Sequence, residues 1–219
     1  MEKYRLAVVI PAFNEEATIA HVICAVTKYG LPIVVDDASE DDTKSIAEAT
    51  GAIVTSHKNN KGYDEALNTG FRKAEALKCD GIITFDADGQ HSTAVLAQYL
   101  EHLEQGVDLV LGIRPTTQRY AEWIFKLYTK FFMNWSDPLC GMKAYSMRLY
   151  KAKGQFDTSS SIGTELAAYG IDNGFEYIEI RVPQLVRKYG RPRFGSAVKS
   201  NFIILKAFFH MIANRKIKN

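Results

Sequence analysis

Short apolar, β-branched runs alternate with longer amphipathic stretches through the first half of the chain. The runs have the length and composition of buried strands, and the stretches between them have helical periodicity. The predicted strands are 6–10, 33–35, 52–54, 81–85 and 108–112. The predicted helices are 12–28, 41–49, 64–77 and 92–104. Regular alternation of strands and helices predicts an α/β domain with a mostly parallel central sheet flanked by helices.

After Arg114 the pattern becomes less regular. It predicts an aromatic-rich helix, a strand or short helix, a helix, a strand and a last helix, at 120–135, 142–150, 163–173, 177–182 and 196–214. The polar residues of the last helix form one narrow stripe, which makes the helix amphipathic: Lys199, Lys206, His210 and Asn214. Its apolar stretch is too short to span a bilayer. A place in the bilayer interface and an ordinary core or oligomer contact both remain open. We therefore divide the chain into a main domain, residues 1–195, and a C-terminal basic amphipathic helix, residues 196–219.

Two carboxylates, Asp86 and Asp88, follow the predicted strand 81–85 directly. In an open α/β sheet, ligands bind at the carboxyl ends of the strands. Alternation along an extended chain would put both carboxylates on one side. Such hard oxygen ligands, without cysteine or histidine beside them, suit Mg²⁺ or Mn²⁺ bound together with substrate phosphates. The alternative is an acidic turn closed by Gly89.

A second acidic pair, Asp36 and Asp37, ends the strand 33–35. Because parallel strands end at one edge of the sheet, the two pairs could share a cleft that binds a nucleotide diphosphate. The alternative is that the acids near 36–42 cap helices. Neither a P-loop nor a Gly-x-Gly-x-x-Gly motif follows the first strand, which argues against a P-loop kinase and a dinucleotide-dependent dehydrogenase.

The net charge of +2 hides a strong asymmetry. Residues 181–219 contain 10 of the 27 basic residues and none of the 25 acidic ones, so residues 1–180 carry 17 − 25 = −8. A basic tail predicts an anionic partner such as a phosphate or an anionic membrane surface. The acidic body argues against a nucleic-acid partner. Three scattered cysteines and the lack of a signal-peptide pattern predict a cytoplasmic protein.

Four motifs, in this order and spacing, resemble those of family 2 glycosyltransferases. The closest resemblance is to polyprenyl-phosphate sugar synthases of the dolichyl-phosphate mannose or glucose type, and it covers roughly residues 5–195. The motifs are Val9-Ile10-Pro11-Ala12-Phe13-Asn14-Glu15-Glu16, Val34-Val35-Asp36-Asp37-Ala38-Ser39, Asn60-Lys61-Gly62-Tyr63 and Phe85-Asp86-Ala87-Asp88-Gly89-Gln90-His91.

The resemblance implies a nucleotide-diphospho-sugar transferase fold of the GT-A type and an inverting, metal-dependent sugar transfer. It implies that the nucleotide-sugar is bound by Pro11, Asn14, Glu15, Asp37, Lys61 and Asp86. The metal ligands would be Asp86, Asp88 and Gln90. The residues placed nearest the chemistry would be Asp88, Arg114 and Glu165.

The acceptor side of the resemblance is rich in cations. The residues expected to bind an acceptor phosphate are Arg114, Lys143, Arg187, Arg191 and Arg193. A phosphate acceptor is anionic at neutral pH and needs no general base, whereas a hydroxyl acceptor would need one, for which Glu165 and Asp137 are the candidates. Departures from the family pattern at Asp64, Cys140 and Lys143 weaken the individual acceptor assignments.

We therefore expect a hexosyltransferase at the cytoplasmic face of the membrane, attached peripherally. It would move a sugar from UDP-glucose, UDP-N-acetylglucosamine or GDP-mannose to a polyprenyl phosphate, with Mg²⁺ or Mn²⁺. A homo-oligomer or a membrane partner protein would fit this attachment. The alternative is a family 2 enzyme with a saccharide hydroxyl acceptor, in cell-surface polysaccharide synthesis.

Overall fold

The structure is a computed structural model that describes residues 4–89, 92–117, 119–158, 161–183 and 197–216. The strands are β1 Leu6–Ala12, β2 Leu31–Asp36, β3 Ile53–Ser56, β4 Gly81–Thr84, β5 Leu109–Ile113, β6 Lys143–Ser146 and β7 Tyr177–Arg181. The helices are α1 Ile19–Val26, α2 Thr43–Ala49, α3 Tyr63–Ala76, α4 Leu96–Glu104, α5 Tyr120–Met133, α6 Met147–Lys153, α7 Glu165–Asp172 and α8 Ala197–Lys216. A 3₁₀ turn, Thr93–Val95, precedes α4.

The strands form one seven-stranded sheet in the order β3-β2-β1-β4-β6-β5-β7. Six strands have a parallel neighbour, in the β3-β2-β1-β4 and β5-β7 pairings. Strand β6 enters antiparallel between β4 and β5. The predicted α/β fold with a mostly parallel sheet is confirmed. The ambiguous stretch 142–150 contains both a strand and a helix, because the Ser146 hydroxyl accepts the Leu149 N–H at 3.1 Å and starts α6.

Pro11 lies within β1 and does not end it, contrary to the pattern-based boundary. The pairing of β1 with β4 stops at Val9, whereas the pairing with β2 continues to Ala12. At Pro11, β1 is therefore paired with β2 alone. Because proline has no N–H to donate, it is tolerated here, where no hydrogen bond to β4 is needed. Residues 13–18 form a loop, so α1 begins later than predicted.

The sheet separates two apolar cores. One packs α3, α5, α7 and α8 against the sheet, and the other packs α1, α2 and α4 on the opposite face. Gly70 lets α3 approach β1 closely, since a Cβ there would lie 2.2 Å from Val9 Cγ1. Buried side chains of α8, including Ile204 and Phe208, belong to the first core.

The last helix is confirmed as α8, which packs along α5. The proposed division at residue 195 falls outside the described residues and stays a prediction. Within the described ranges, no helix combines the length and the apolarity that a membrane crossing requires.

Candidate active site

Asp86 and Asp88 lie in a tight turn beyond the end of β4. Because β4 ends at Thr84, the alternation expected of an extended strand does not govern these two side chains. Gly89 closes the turn with a φ of +70°. Asp88 is buried, with 8% of its surface exposed, and Asp86 is half-buried. The Tyr63 hydroxyl donates to Asp86 Oδ1 at 3.2 Å, which ties this carboxylate to the start of α3.

The chain segment before β6 passes directly against the Asp86 carboxylate. A Cβ on Gly141 would lie 2.6 Å from Asp86 Oδ2, so any larger residue here would displace the Asp86 carboxylate. The Thr84 hydroxyl donates to Gly141 O at 2.6 Å and accepts the Lys143 N–H at 3.1 Å. The antiparallel entry of β6 thus brings residues of the second half of the chain to the acidic turn of the first half.

The loops after β1 and β2 are joined by hydrogen bonds to backbone groups. Asn14, with a left-handed φ of +54°, accepts the Glu40 N–H at 2.8 Å through its side chain, and its own N–H donates to Ser39 Oγ at 3.0 Å. The Glu15 N–H donates to Thr43 Oγ1 at 2.7 Å. Asparagine tolerates the left-handed conformation better than most residues, which explains the choice of Asn14.

Both carboxylate oxygens of Asp37 accept hydrogen bonds within the protein. Its Oδ1 accepts the Lys61 N–H at 2.9 Å and lies 2.7 Å from His57 Nδ1, and its Oδ2 accepts the Gly62 N–H at 2.8 Å. The other ring nitrogen of His57 lies 2.9 Å from Thr69 Oγ1. Asp37 therefore holds the loop that carries Lys61, and its contact with a base or ribose stays a prediction, as do the roles of Pro11, Asn14, Glu15 and Lys61.

Asp64 holds a strained backbone segment from the other half of the chain. Its two carboxylate oxygens accept the N–H groups of Ile162 at 3.1 Å and Gly163 at 2.8 Å, residues with φ values of +55° and +66°. A left-handed isoleucine is rare because of its β-branched side chain. Burial and the nearby Asp157 raise the pKa of Asp64 to about 6. A cavity of about 270 Å³ opens here, lined in part by Lys61, Asp64 and Asp157.

Arg114 forms the centre of a buried ion network. Its Nε and Nη2 donate to the two oxygens of Asp137 at 2.8 and 2.9 Å, and its backbone N–H also donates to Asp137 at 3.0 Å. Glu122 accepts from Arg114 at 3.3 Å and from Arg119 at 2.9 Å. Although burial acts to raise it, the Arg114 guanidinium holds the pKa of Asp137 below its ordinary value. Asp137 is therefore an ion-pair partner and a poor general base.

Lys143 is enclosed rather than presented to a ligand. Its side chain is in β6 with 3% of the residue exposed, and Nζ donates to Cys140 O at 2.7 Å. Burial lowers the pKa of Lys143 to about 8, against the opposing field of carboxylates that include Asp137 and Asp86. The Lys143 ammonium adds positive charge close to Asp86. Its assignment as a direct contact to an acceptor phosphate stays a prediction, and it would require rearrangement around Cys140.

Glu165 begins α7 and is held by an ion pair. Lys153 Nζ lies 2.8 Å from its carboxylate, which also accepts the Thr158 N–H at 2.7 Å. Burial acts to raise the pKa of Glu165, but the contacts with Lys153 and Thr158 lower it overall. A cavity of about 270 Å³ between α7 and α8 has Glu165 in its wall. Its proposed role near the chemistry stays a prediction.

Four predicted ligands, Gln90, Arg187, Arg191 and Arg193, lie outside the described residues. Sequence analysis assigns no individual role to His57, Tyr63 or Gly141, although Tyr63 stands within the Asn60-Lys61-Gly62-Tyr63 motif. His57 could not have been found from spacing, because its partners Asp37 and Thr69 meet it through tertiary structure alone.

The donor set of the acidic turn fits a hard divalent cation. Asp86 and Asp88 offer carboxylate oxygens, and the described part of the chain contains no group of three or more histidine, cysteine or acidic residues arranged for a metal ion. Mg²⁺ and ions like it commonly bind through one or two carboxylates and complete their shell with water and substrate phosphates. Two carboxylates are therefore sufficient for a metal that arrives with a diphosphate.

Comparison with a solved structure supports the fold. The crystal structure of glucosyl-3-phosphoglycerate synthase from Mycobacterium tuberculosis, in complex with Mn²⁺, UDP and glucosyl-3-phosphoglycerate, superposes with a TM-score of 0.73. The match covers 95% of this chain and 80% of that chain at 21% sequence identity. The predicted GT-A type of α/β fold is thereby confirmed.

Comparisons of sequence define the family. An uncharacterized protein of Methanocaldococcus jannaschii is 31% identical over 223 residues, covering 94% of this chain and 91% of that protein. An undecaprenyl-phosphate 4-deoxy-4-formamido-L-arabinose transferase of Shewanella sediminis is 28% identical over 212 residues, covering 87% of this chain and 62% of that protein. Residues 7–159 match the Glycosyl transferase family 2 profile. The chain therefore belongs to glycosyl transferase family 2 and is a glycosyltransferase.

Proposed function

We propose that the protein transfers a sugar, with inversion, from a nucleotide-sugar to a polyprenyl phosphate at the cytoplasmic face of a membrane. The observation that carries the proposal is the close contact between the two ends of the site. Gly141 lies against the carboxylate of Asp86, and the same segment begins at Asp137, the partner of Arg114. Carboxylates suited to a metal diphosphate thus adjoin cations suited to a second anion.

The donor would bind at the carboxyl ends of β1, β2 and β4. Asp86 and Asp88 would hold Mg²⁺ or Mn²⁺, with Gln90 as a further candidate ligand. When bound, the metal supplies Lewis-acid stabilisation of the departing diphosphate. The Tyr63 hydroxyl orients the Asp86 carboxylate, and the loop held by Asp37 borders the nucleotide.

The acceptor would bind toward Arg114, where guanidinium groups favour phosphate through their planar donor geometry. Arg187, Arg191 and Arg193 are candidates to complete this end. An acceptor phosphate oxygen attacks the anomeric carbon, and the bond from that carbon to the donor phosphate oxygen breaks. The electron pair leaves with the nucleoside diphosphate. No proton needs to be removed, so neither Glu165 nor Asp137 has to act as a base.

The relative from Shewanella sediminis supports the acceptor class, because its name specifies undecaprenyl phosphate and the match extends over 87% of this chain. The solved glucosyl-3-phosphoglycerate synthase was crystallised with UDP and Mn²⁺, which supports the donor class and the metal. The sugar itself is selected by the shape of the pocket, so UDP-glucose, UDP-N-acetylglucosamine and GDP-mannose are all tested.

The experiment follows radiolabel from each of the three donors into a detergent-dispersed polyprenyl phosphate, with Mn²⁺, Mg²⁺ or chelator. We expect one donor to label the lipid only with metal, and Asp88→Asn to reduce the rate by at least about 100-fold. Glu48→Gln is the matched control, because it makes the same change at an exposed position on α2.

Three outcomes would contradict parts of the proposal. Transfer that persists in chelator would refute the metal. Transfer to a saccharide hydroxyl, with none to the lipid phosphate, would refute the acceptor class in favour of polysaccharide synthesis. An unchanged rate in Asp88→Asn would refute the placement of the donor site.

A further inference from the structure

We propose that the outward sides of α5 and α8 form a bilayer-binding surface that seats the enzyme on anionic lipid. We call this surface the aromatic face, and it consists of Tyr120, Trp123, Leu127, Phe131, Phe132, Phe202 and Phe209. The inference deepens the proposed function and rests on it for the choice of a membrane as the partner. It names the part of the protein that meets the lipid and the chemistry of that lipid.

Among the described residues, the large exposed apolar side chains are concentrated on these two helices. Eight large hydrophobic residues are exposed in the described part of the chain, and seven belong to the aromatic face. Phe131 is 82% exposed, and Phe202 is 71% exposed. The eighth residue, Phe13, lies in the loop after β1. Scattered single exposures are normal in soluble proteins, but a contiguous group of this kind marks an interaction site.

Helical spacing places these residues on one side of each helix. On α5 the positions 120, 123, 127 and 131 recur at intervals of 3, 4 and 4. On α8 the exposed Phe202, Lys206 and Phe209 recur at intervals of 4 and 3. Such intervals define a single stripe along a helix. The opposite sides, which carry Phe125 and Phe208, are buried in the core.

Ring contacts in the packing between α5 and α8 tie the two stripes to each other through the buried Phe208. Phe132 contacts Phe131 at 5.1 Å and Tyr128 at 4.7 Å between ring centroids. Tyr128 contacts Phe208 at 5.3 Å, and Phe208 contacts Phe209 at 5.4 Å. The aromatic side chains are therefore held in place by packed neighbours rather than dispersed. Aromatic residues are the type enriched at the boundary between lipid and water.

The charges of the two helices favour an anionic surface. The single acid of α5 is Glu122, which is buried and bonded to Arg114 and Arg119, and α8 contains no acid. Lys130 and Lys206 are exposed on the same two helices as the aromatic face. Basic side chains around an apolar surface are attracted to anionic headgroups. A second copy docked on this face would bring like charges together, so charge favours lipid over self-association.

The inner side of α5 connects the aromatic face to the acceptor end of the site. Glu122 accepts from Arg114, and Lys126 Nζ lies 3.4 Å from Asp137. A bilayer on the outer side of α5 would therefore lie one helix away from the cations proposed to bind the lipid phosphate. A membrane-embedded acceptor could reach Arg114 without leaving the headgroup region.

The test is co-sedimentation of the full chain with vesicles, in the absence of donor and acceptor. Phosphatidylcholine vesicles are compared with vesicles that contain about 30% phosphatidylglycerol. We expect binding to the anionic vesicles, reduced at least about tenfold in the triple variant Trp123→Ser, Phe131→Ser, Phe209→Ser. Trp123 is an intrinsic probe, because the second tryptophan, Trp135, is buried. Its emission should shift to the blue on binding.

The charge argument has its own matched pair of variants. Lys130→Glu with Lys206→Glu should weaken binding to the anionic vesicles about tenfold. Lys28→Glu with Lys44→Glu makes the same charge change just after α1 and on α2, on the other side of the sheet, and should leave binding unchanged.

The inference would be overturned if the triple variant, folded by circular dichroism, bound vesicles as the unmodified protein does. It would also be overturned if the protein ignored vesicles and formed a dimer that the triple variant lost. Transfer to detergent-dispersed polyprenyl phosphate is measured in parallel. If the proposed function fails, the unmodified protein shows no transfer at all. If the inference about the aromatic face fails, that transfer persists and the triple variant binds vesicles as the unmodified protein does.

Discussion

Asp37 and Asp137, two buried carboxylates in the two proposed halves of the site, are held in different ways. In the donor half, formed by the loops after β1 to β4, the backbone N–H groups of Lys61 and Gly62 bind Asp37, with His57 beside them. In the acceptor half, formed by β5 and the elements after it, the cationic side chain of Arg114 binds Asp137. Asp64 links the halves, because it lies in the donor half and binds backbone of the acceptor half.

The difference teaches what each half is built to preserve. Hydrogen bonds from consecutive backbone groups fix the path of a loop, which a nucleotide pocket requires. Ion pairs fix the position of a charged side chain, and the net charge of the paired group sets the sign of the local electrostatic field. An anion site requires a positive field. Removing one partner of a buried ion pair also leaves a charge uncompensated, whereas removing a carboxylate that binds backbone leaves neutral donors.

The largest effect is expected from Asp137→Asn in the acceptor half. Loss of the charge removes the main carboxylate partner of Arg114 and the partner of Lys126, and we expect the free energy of unfolding to fall by about 3–5 kcal/mol. Urea denaturation measures it. Asp172→Asn is the control, since its pair with Arg215 is partly exposed and should be worth about 1 kcal/mol or less. Equal losses in the two variants would contradict the comparison.

A smaller effect is expected from Asp37→Asn in the donor half. In asparagine one of the two oxygens that accept from Lys61 and Gly62 becomes an amide nitrogen, which cannot accept, so one partly buried N–H loses its acceptor, at a cost of about 1–3 kcal/mol. The loop should also loosen, which raises the KM for the donor more than it lowers kcat. Asp42→Asn, at an exposed helix start with no side-chain capping bond, should change neither quantity. A stability loss as large as that of Asp137→Asn would remove the distinction between the halves.

The contact between the halves should depend on pH. The folded-state pKa of Asp64 is about 6, above its ordinary value of 3.8, so the folded protein binds the extra proton between these values. Stability contributed by this group is present below about pH 4 and is lost as the pH rises to about 6, by on the order of 2 kcal/mol.

Asp64→Asn removes this titration. The variant should therefore gain stability relative to the unmodified protein as the pH rises from about 4 to about 6, whatever their difference at low pH. Unfolding free energies at several pH values measure the slope. A constant difference across the window would show that Asp64 titrates normally.

The smallest effect is expected from Glu165→Gln. With an anionic acceptor no general base acts, so kcat for transfer to polyprenyl phosphate should change by no more than about twofold. Lys153→Met is the matched control, because it breaks the same ion pair and keeps the carboxylate. A loss of about 100-fold or more in Glu165→Gln, with Lys153→Met active, would identify Glu165 as a base and point to a hydroxyl acceptor.

Most of the fold could be predicted from the sequence because its elements are strongly periodic. All predicted strands and helices exist, and the errors are at boundaries such as Pro11, where the absence of a neighbouring strand decides the outcome. The antiparallel entry of β6 could not be read from the chain, since hydrophobic runs carry no information about strand direction.

The candidate site was predictable in its residues and not in their contacts. The acids of the turn after β4 stand in a recognisable motif, whereas the turn geometry around Gly89 does not follow from strand alternation. Arg114 was singled out as a phosphate ligand, but its bidentate pairing with Asp137 joins positions 23 residues apart. The bond between His57 and Asp37 is likewise invisible to spacing, because only the folded chain brings the two side chains together.

The entry of β6 between β4 and β5 limits how this enzyme can be recombined with its relatives. A chimera that exchanges the acceptor side directly after β5 would import a foreign β6 and a foreign residue in place of Gly141, against the Asp86 carboxylate of the host. A crossover after α6, near Gly154, takes β4, β6 and the contact between Gly141 and Asp86 from one parent. The natural unit of exchange is therefore the chain through β6 and α6, which carries Arg114 and Asp137 together with the donor loops.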